Sequence, residues 1–305
     1  MNVLVTSLSR KVPLVEALRS AVGGDGLVWG GDTDPECVGR HFVDRFWEMP
    51  PLDEADVAGF CAREEIGLVV PTRDGELATF AGLRDRLDGT WVAIGTPAAV
   101  ETCLDKLAFH EHCRGAGVPT APTATSLDEL DADSFVVKGR RGAGSRGLGV
   151  GVDRAAAAEF ADGLDEAIFQ PLLSGVEHSI DVYMNRDGAV VEAAPRTRIR
   201  VHDGESTVTE TVEHPGLVDA AVRLAESLEL RGHVVIQAFA EGDDVTVLEC
   251  NPRVGGASTL GFHAGVESPR WAVAEARGET VEPRLGGYRR GLRLVRYPSD
   301  RLIEP

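Results

Sequence analysis

The sequence predicts a mixed α/β chain that opens as a small parallel α/β unit and continues as α+β. Three observations carry this reading. Short apolar strands alternate with helix-spaced apolar residues over the first hundred positions. A strand ending in lysine runs into a glycine-rich loop between 139 and 149. Near position 240, two apolar strands are interrupted on one face by Gln, Glu and Asn.

Taken in order, Val3-Leu4-Val5 is a strand, and Val12, Val15, Leu18 and Val22 follow at helical spacing. Leu27-Val28-Trp29, Leu68-Val69-Val70 and Trp91–Ile94 are further strands, with a helix carrying Leu77, Phe80, Ala81 and Leu87 between the last two. Strands separated by helices make a parallel unit. The first strand is followed by Thr6-Ser7-Leu8-Ser9-Arg10 rather than GxGxxG, which argues against a dinucleotide site and a dehydrogenase. A helical region spans 98–115, closed by Gly115 and Gly117. Val118–Pro122 is extended and Phe135–Lys138 is a strand. From Phe169 onward the chain reads as strand-rich, with one helix at Leu217–Leu228.

A chain of 305 residues, 43% hydrophobic, holds two or three compact subdomains. No apolar run approaches the roughly 20 residues needed to span a bilayer, and the first residues read as a strand rather than a leader. A cytoplasmic location and no membrane partner are therefore expected. The net charge of −18 argues against nucleic acid as partner. Of 31 Lys and Arg residues only Lys11, Lys106 and Lys138 are lysines. So acidic and lysine-poor a surface suits a halophilic protein, although arginine-favouring codon usage explains the lysine scarcity equally well. Lys11 reads as an ordinary surface lysine. Lys106 sits in a Leu-Asp-Lys triplet that opens a helix, and Lys138 ends a strand just before the glycine loop. A compact ammonium on a long stem suits phosphate oxygens. The five cysteines are odd in number and widely spaced, which disfavours disulfides and zinc; the eight scattered histidines form no ligand pattern.

In Glu249-Cys250-Asn251-Pro252-Arg253, strand alternation puts Glu249 and Asn251 on one face and Cys250 in the core. Two oxygen ligands so placed suit a hard cation such as Mg²⁺. His233–Ala240 and Val245–Asn251 read as a hairpin. A turn centred on Asp243 sets Gln237 directly across from Glu249, where its amide oxygen joins the set; a bulge in the turn would spoil that register. Arg253 brings a planar guanidinium for phosphate or carboxylate. In Gly139–Gly149 five glycines accompany Arg140, Arg141 and Arg146, a composition that fits a flexible basic cover over a polyphosphate. It lacks the GK[ST] of a Walker A loop.

Lys106, Lys138, the Gly142–Gly147 loop, Gln170–Glu177, Gln237 and Glu249-x-Asn251-Pro-Arg253 occur in the order and spacing of ATP-grasp enzymes. The chain resembles that superfamily over nearly its whole length, and within it the branch of the carbamoyl phosphate synthase large subunit and stand-alone carboxylate–amine ligases. The resemblance implies an ATP-grasp fold with a pre-ATP-grasp α/β domain at 1–100, a lid at 101–172 and a catalytic subdomain at 173–305. It implies that Lys106 and Lys138 contact ATP phosphates, that Gly142, Ala143, Gly144, Ser145 and Gly147 cover them, and that Gln170, Leu172 and Glu177 frame adenine and ribose, the first two through backbone groups. Gln237, Glu249 and Asn251 would hold one or two Mg²⁺ (or Mn²⁺), and Arg253 and Arg196 would act on the transferring group, with Arg198 beside Arg196. Many family members carry an acidic residue where Gln237 stands, which weakens the pull on a second cation; the carbamoyl phosphate synthase branch also uses Gln. The implied reaction phosphorylates a carboxylate with ATP for attack by an amine. Small-molecule carboxylate and amine substrates follow, with loops near Thr72–Glu76, Val201–Ser206 and Gly255–Thr259 forming the acceptor pocket, and dimers are common in the family. Two alternatives are phosphorylation of bicarbonate or carbamate, and a catalytically silent ATP-binding regulatory module.

Overall fold

Three sheets surround one cleft in the computed structural model, which describes residues 1–142 and 147–303. The first is parallel. It is built from β1 (Asn2–Thr6), α1 (Val12–Val22), β2 (Val28–Asp32), β3 (Arg45–Glu48), α2 (Val57–Arg63), β4 (Ile66–Val70), α3 (Asp74–Leu83) and β5 (Trp91–Val92), in strand order β3-β2-β1-β4-β5. β1 and β4 are almost wholly buried, as the central strands of a sheet covered on both faces must be. The order reverses between β1 and β4, so the loops after these strands leave the same edge side by side. Sequence reading missed β3, an edge strand with a charged residue at each end and no buried member. The fourth expected strand is only two residues long.

The expected helix over 98–115 is two helices, α4 (Pro97–Leu104) and α5 (Lys106–Gly115). Asp105 breaks it: its backbone is extended, and its carboxylate accepts from the Leu107 and Ala108 amides as the cap of α5. The second sheet is antiparallel, in order β7-β6-β8, from β6 (Phe135–Gly139), β7 (Gly149–Val152) and β8 (Ala167–Pro171), with α6 (Arg154–Ala161) between the last two. Phe135, Val137, Ala157 and Phe169 give it an apolar cluster of its own.

The third sheet is antiparallel, in order β13-β12-β9-β10-β11-β14. It contains β9 (Val176–Met184), β10 (Val190–His202), β11 (Glu205–Thr211), α7 (Pro215–Ser227), β12 (Gly232–Glu241), β13 (Asp244–Asn251), α8 (Thr259–Ala264), α9 (Ser268–Ala276) and β14 (Arg293–Val295). α8 and α9 correct the expectation of a single helix after Phe169. α7 covers one face, where Leu217 and Leu224 join Ile180, Val182 and Ile236. α9 joins the third sheet to the first, with Trp271 and Tyr183 clustered with Val3 and Val5. Among the described residues no helix is long and apolar enough to cross a membrane.

The β12–β13 hairpin sets the phase of the site. Its turn is Gly242-Asp243, flanked by the pair Glu241–Asp244, with Gly242 at φ 60°. Glycine with positive φ at the first central position is the signature of a type II′ turn. The turn is thus centred half a residue earlier than expected, and the strands leave it one step out of the predicted register. A bulge at Leu248 restores it: Ala238 pairs with Val247, but Gln237 pairs with Glu249. The bulge also reverses side-chain alternation. Val245 and Val247 point into the α7 core and so does Cys250, which turns Glu249 and Asn251 to the opposite face.

Candidate active site

A cleft of about 1100 Å³ lies between the three sheets. Its floor is one face of the third sheet, and the pairing registers assemble it in transverse rows. Glu249, Gln237, Ser179 and Arg196 stand side by side on β13, β12, β9 and β10. The next row holds Asn251, Val235 and Asp181; on the other side, Phe239 pairs with Glu177. With strands about 4.8 Å apart, Arg196 starts about 14 Å from Glu249, so these two residues serve different parts of the cleft. Every predicted site position among the described residues lines this cleft except Gly147. Ala143, Gly144 and Ser145, with Arg146 beside them, lie outside the described residues.

Glu249, Asn251 and Gln237 present oxygen donors at the floor. Asn251 Nδ2 donates to Glu249 Oε1 (3.1 Å), and Asn251 Oδ1 accepts from Arg253 Nη2 (3.3 Å), which fixes the amide's orientation. This donor set fits Mg²⁺: hard, all oxygen, and with a single formal charge, so that further oxygen ligands would complete the shell. Lys138 on β6 and Lys106 at the start of α5 both feel the Glu249 charge. Burial lowers both ammonium pKa values, and Glu249 opposes the shift. Lys106 Nζ donates to the Gly142 carbonyl (2.8 Å), tying the start of α5 to the chain just after β6.

Arg140 and Arg141 are not the free basic cover expected of them. Arg140 forms an ion pair with Asp105 (2.6 Å), and Arg141 reaches Glu101 (2.6 Å) and Asp105 (3.1 Å). Asp105, whose side chain is 3% exposed, gathers both guanidiniums and so anchors the base of the loop to the α4–α5 junction. The Leu172 amide is also engaged, donating to the Ser134 carbonyl (2.9 Å), which removes it as a backbone donor to a base. Leu173 lines the cleft and its amide has no backbone partner among the described residues. Glu177 lies 3.0 Å from Arg198; burial raises its carboxyl pKa and Arg198 counters that rise.

Arg253 and Arg196 are both partnered. Arg253 meets Asp74 in a bidentate pair, Nε–Oδ1 2.6 Å and Nη2–Oδ2 2.9 Å, across 179 residues of sequence. Asp74 and Gly75, at the start of α3, therefore bring the first sheet into the cleft wall. Lys11 is no plain surface lysine. It is half-buried at the start of α1, and burial first, then the neighbouring Arg253, lower its pKa, while Glu205 and Asp74 oppose the shift. Arg196 Nε bonds to Asp181 (2.7 Å), and both side chains are buried. Asp181 also accepts from Ser258 (2.5 Å) and lies 3.3 Å from His233 Nε2. Gly261 of α8 presses on it so closely that an added Cβ would come within 2.9 Å of the Asp181 Cβ.

Sequence reasoning missed Ser179 and Asp181; Asp74 and Glu205 fall within the loops it assigned to the acceptor pocket, and both line the cleft, but it gave neither side chain a partner. Ser179 was recoverable, since it lies two residues from Glu177 on the same strand face. The others meet their partners only through tertiary packing.

Residues 164–296 match the sequence family described as ATP-grasp in the biosynthetic pathway with Ter operon. Among solved structures, the chain is similar to the biotin carboxylase domain of Hydrogenobacter thermophilus 2-oxoglutarate carboxylase, solved with MgADP, ADP and bicarbonate. The two share 15% identity at TM-score 0.76, over 96% of this chain and 73% of that one. N5-carboxyaminoimidazole synthetase from Staphylococcus aureus, complexed with ADP, gives 14% identity and TM-score 0.73 over 92% and 78%. Pyruvate carboxylase of Rhizobium etli gives 14% and 0.75; the match covers 96% of this chain but only 30% of the carboxylase. The parallel sheet followed by antiparallel sheets is architecture shared with these structures, and the chain has an ATP-grasp fold.

Proposed function

We propose that this chain is an ATP-dependent ligase that activates a carboxylate as an acyl phosphate for attack by an amine. The observation that carries this reading is the grouping of Glu249, Gln237 and Asn251 on one sheet face, within the electrostatic reach of Lys106 and Lys138 and in a cleft large enough for a nucleotide and a second substrate.

In the proposed reaction a carboxylate oxygen attacks the γ-phosphorus of ATP. The bond from that phosphorus to the bridging oxygen breaks, and ADP leaves. The amine nitrogen then attacks the acyl carbon, the carbon–oxygen bond to phosphate breaks, and the amine loses a proton to solvent. Glu249, Asn251 and Gln237 would hold Mg²⁺, which supplies charge neutralisation at the β- and γ-phosphates. Lys106 and Lys138, already partly desolvated, bind phosphate oxygens without a further large dehydration cost. Arg253, steadied by Asp74, and Arg196, steadied by Asp181, hold anionic groups of the acceptor in line with the γ-phosphate. The lid anchored through Asp105 would exclude water from the acyl phosphate. The proposed division is a first domain at 1–100, a lid at 101–172 and a catalytic part at 173–305.

Release of ADP and phosphate, measured with Mg²⁺-ATP and pooled carboxylates and amines, tests the proposal. Glu249→Ala should lower turnover at least about 100-fold while leaving the far-UV circular dichroism unchanged. Turnover near the unmutated rate would refute the metal assignment. Tight ATP binding without ADP formation across the panel would point instead to a silent nucleotide-binding module.

A further inference from the structure

The nucleotide end of the cleft contains a buried acceptor without a partner. Gln170 on β8 pairs with Val136 of β6 and faces the cleft, away from the cluster that takes in Phe135, Val137 and Phe169. It is 3% exposed. Its Nε2 donates to Thr123 Oγ1 (2.7 Å), and the Thr123 hydroxyl donates to the Ala121 carbonyl (3.0 Å). A hydroxyl has one proton, so with that proton on Ala121 the Thr123 oxygen can only accept. The Gln170 amide then has one favourable orientation, NH₂ toward Thr123 and Oε1 the other way. Oε1 has no hydrogen-bond partner among the described residues.

Val136 pairs with both Gln170 and Val150, and these valines line the cleft together with Leu148, Leu172 and Phe239; Leu148, Val150 and Leu172 are 36%, 57% and 46% exposed. Apolar side chains of this kind suit the faces of a flat ring. Apolar faces with a single buried acceptor accept a ring that carries a donor at its edge and reject one that presents an oxygen there.

We propose that Thr123 is a specificity-determining positioning residue. By occupying the NH₂ of Gln170 it presents Oε1 to the base, selecting a 6-aminopurine over a 6-oxopurine. Without the Thr123 oxygen the carboxamide is free to turn and offer NH₂, which suits a 6-oxo group. The inference rests on the reading of the cleft as an adenine-nucleotide site, and it adds the residue that sets the choice of base.

The test is the ratio of ADP to inosine diphosphate affinity, measured by titration calorimetry on the full chain. The two ligands differ only in the exchange of the 6-amino for a 6-oxo group and the accompanying ring proton. The unmutated protein should prefer ADP by about 10- to 100-fold. Thr123→Val, nearly the same shape without the oxygen, should bring the ratio to within about threefold of unity, and Thr123→Ser should keep the preference. Taking a ratio within each protein separates base choice from general loss of affinity, and thermal unfolding confirms that each variant is folded. ADP binding with an unchanged ratio in Thr123→Val would overturn the inference and leave the nucleotide reading standing. Collapse of the ratio in Thr123→Ser would also overturn it. Failure of the unmutated protein to bind either nucleotide would overturn the nucleotide reading itself.

Discussion

Replacing Asp181 by Asn removes the charge that balances Arg196 in a buried environment. The two side chains are 0% and 3% exposed and 2.7 Å apart. Breaking a pair of this kind leaves an uncompensated buried guanidinium and costs about 3–5 kcal/mol. That is a large part of the 5–15 kcal/mol that typically separates folded from unfolded chains. With a urea m-value of about 3 kcal/mol/M the unfolding midpoint should fall by about 1–1.7 M. Asp181→Asn with Arg196→Met removes both charges and should return stability to within about 1 kcal/mol of the unmutated protein, while activity stays low because the cleft has lost its guanidinium. The pair also sets an acid limb. Burial alone would raise the Asp181 carboxyl, but Arg196, His233 and Ser258 outweigh it and hold the pKa well below the usual carboxylate range. A depressed folded pKa contributes stability that is fully present above the unfolded value, about 3.9, and is lost as the pH falls below it toward the folded value. The unmutated protein should therefore lose more stability between about pH 4 and pH 2 than the double variant does. A single variant within 1 kcal/mol of the parent, or a double variant no more stable than the single one, would refute the argument.

Four further outcomes follow from the geometry. Asp74→Asn should lower kcat for phosphate release about 10- to 100-fold with little change in the KM for ATP, because the Asp74 carboxylate fixes the direction of the Arg253 guanidinium; steady-state kinetics would show this, and an unchanged kcat would count against the positioning role. Deleting Leu248 should abolish Mg²⁺-dependent nucleotide binding, measured by calorimetry, because the bulge is what turns Glu249 and Asn251 out of the core; one glycine inserted into the Gly242-Asp243 turn should cost less than about 1 kcal/mol. Asp105→Ala should destabilise the protein by about 1–2 kcal/mol in chemical denaturation through loss of the α5 cap, and should also weaken ATP binding by releasing Arg140 and Arg141.

Much of this was legible in the sequence because burial leaves a periodic record. Apolar β1 and β4 and the 3.6-residue spacing of α1 announced the parallel unit, and Glu249, Asn251 and Gln237 stood out as polar breaks in apolar strands. The Gln237–Glu249 pairing was read correctly from a turn centre that was not, since the bulge at Leu248 offset the difference. Nothing in Val-Thr-Val-Leu-Glu-Cys-Asn marks the bulged residue, because both alternations through it look apolar on one face. α9 carried a readable signal in Pro269 at its first turn. The Asp74–Arg253 pair did not: each is an unremarkable charged residue until two sheets bring them together. Lys11 was misjudged for the same reason, as its surroundings come from segments more than 60 residues away.

The separate apolar cluster of the three-stranded sheet points to two levels of stability. Phe135, Val137, Ala157 and Phe169 form a small nucleus apart from the two larger cores behind the floor. Breaking it exposes far less oily surface than breaking either of those, so the three-stranded unit should open at lower cost than β9, β10 and β12, which are flanked on both sides. Amide protons of β6 and β8 should then exchange with deuterium through a cheaper opening than those around Ser179 and Gln237.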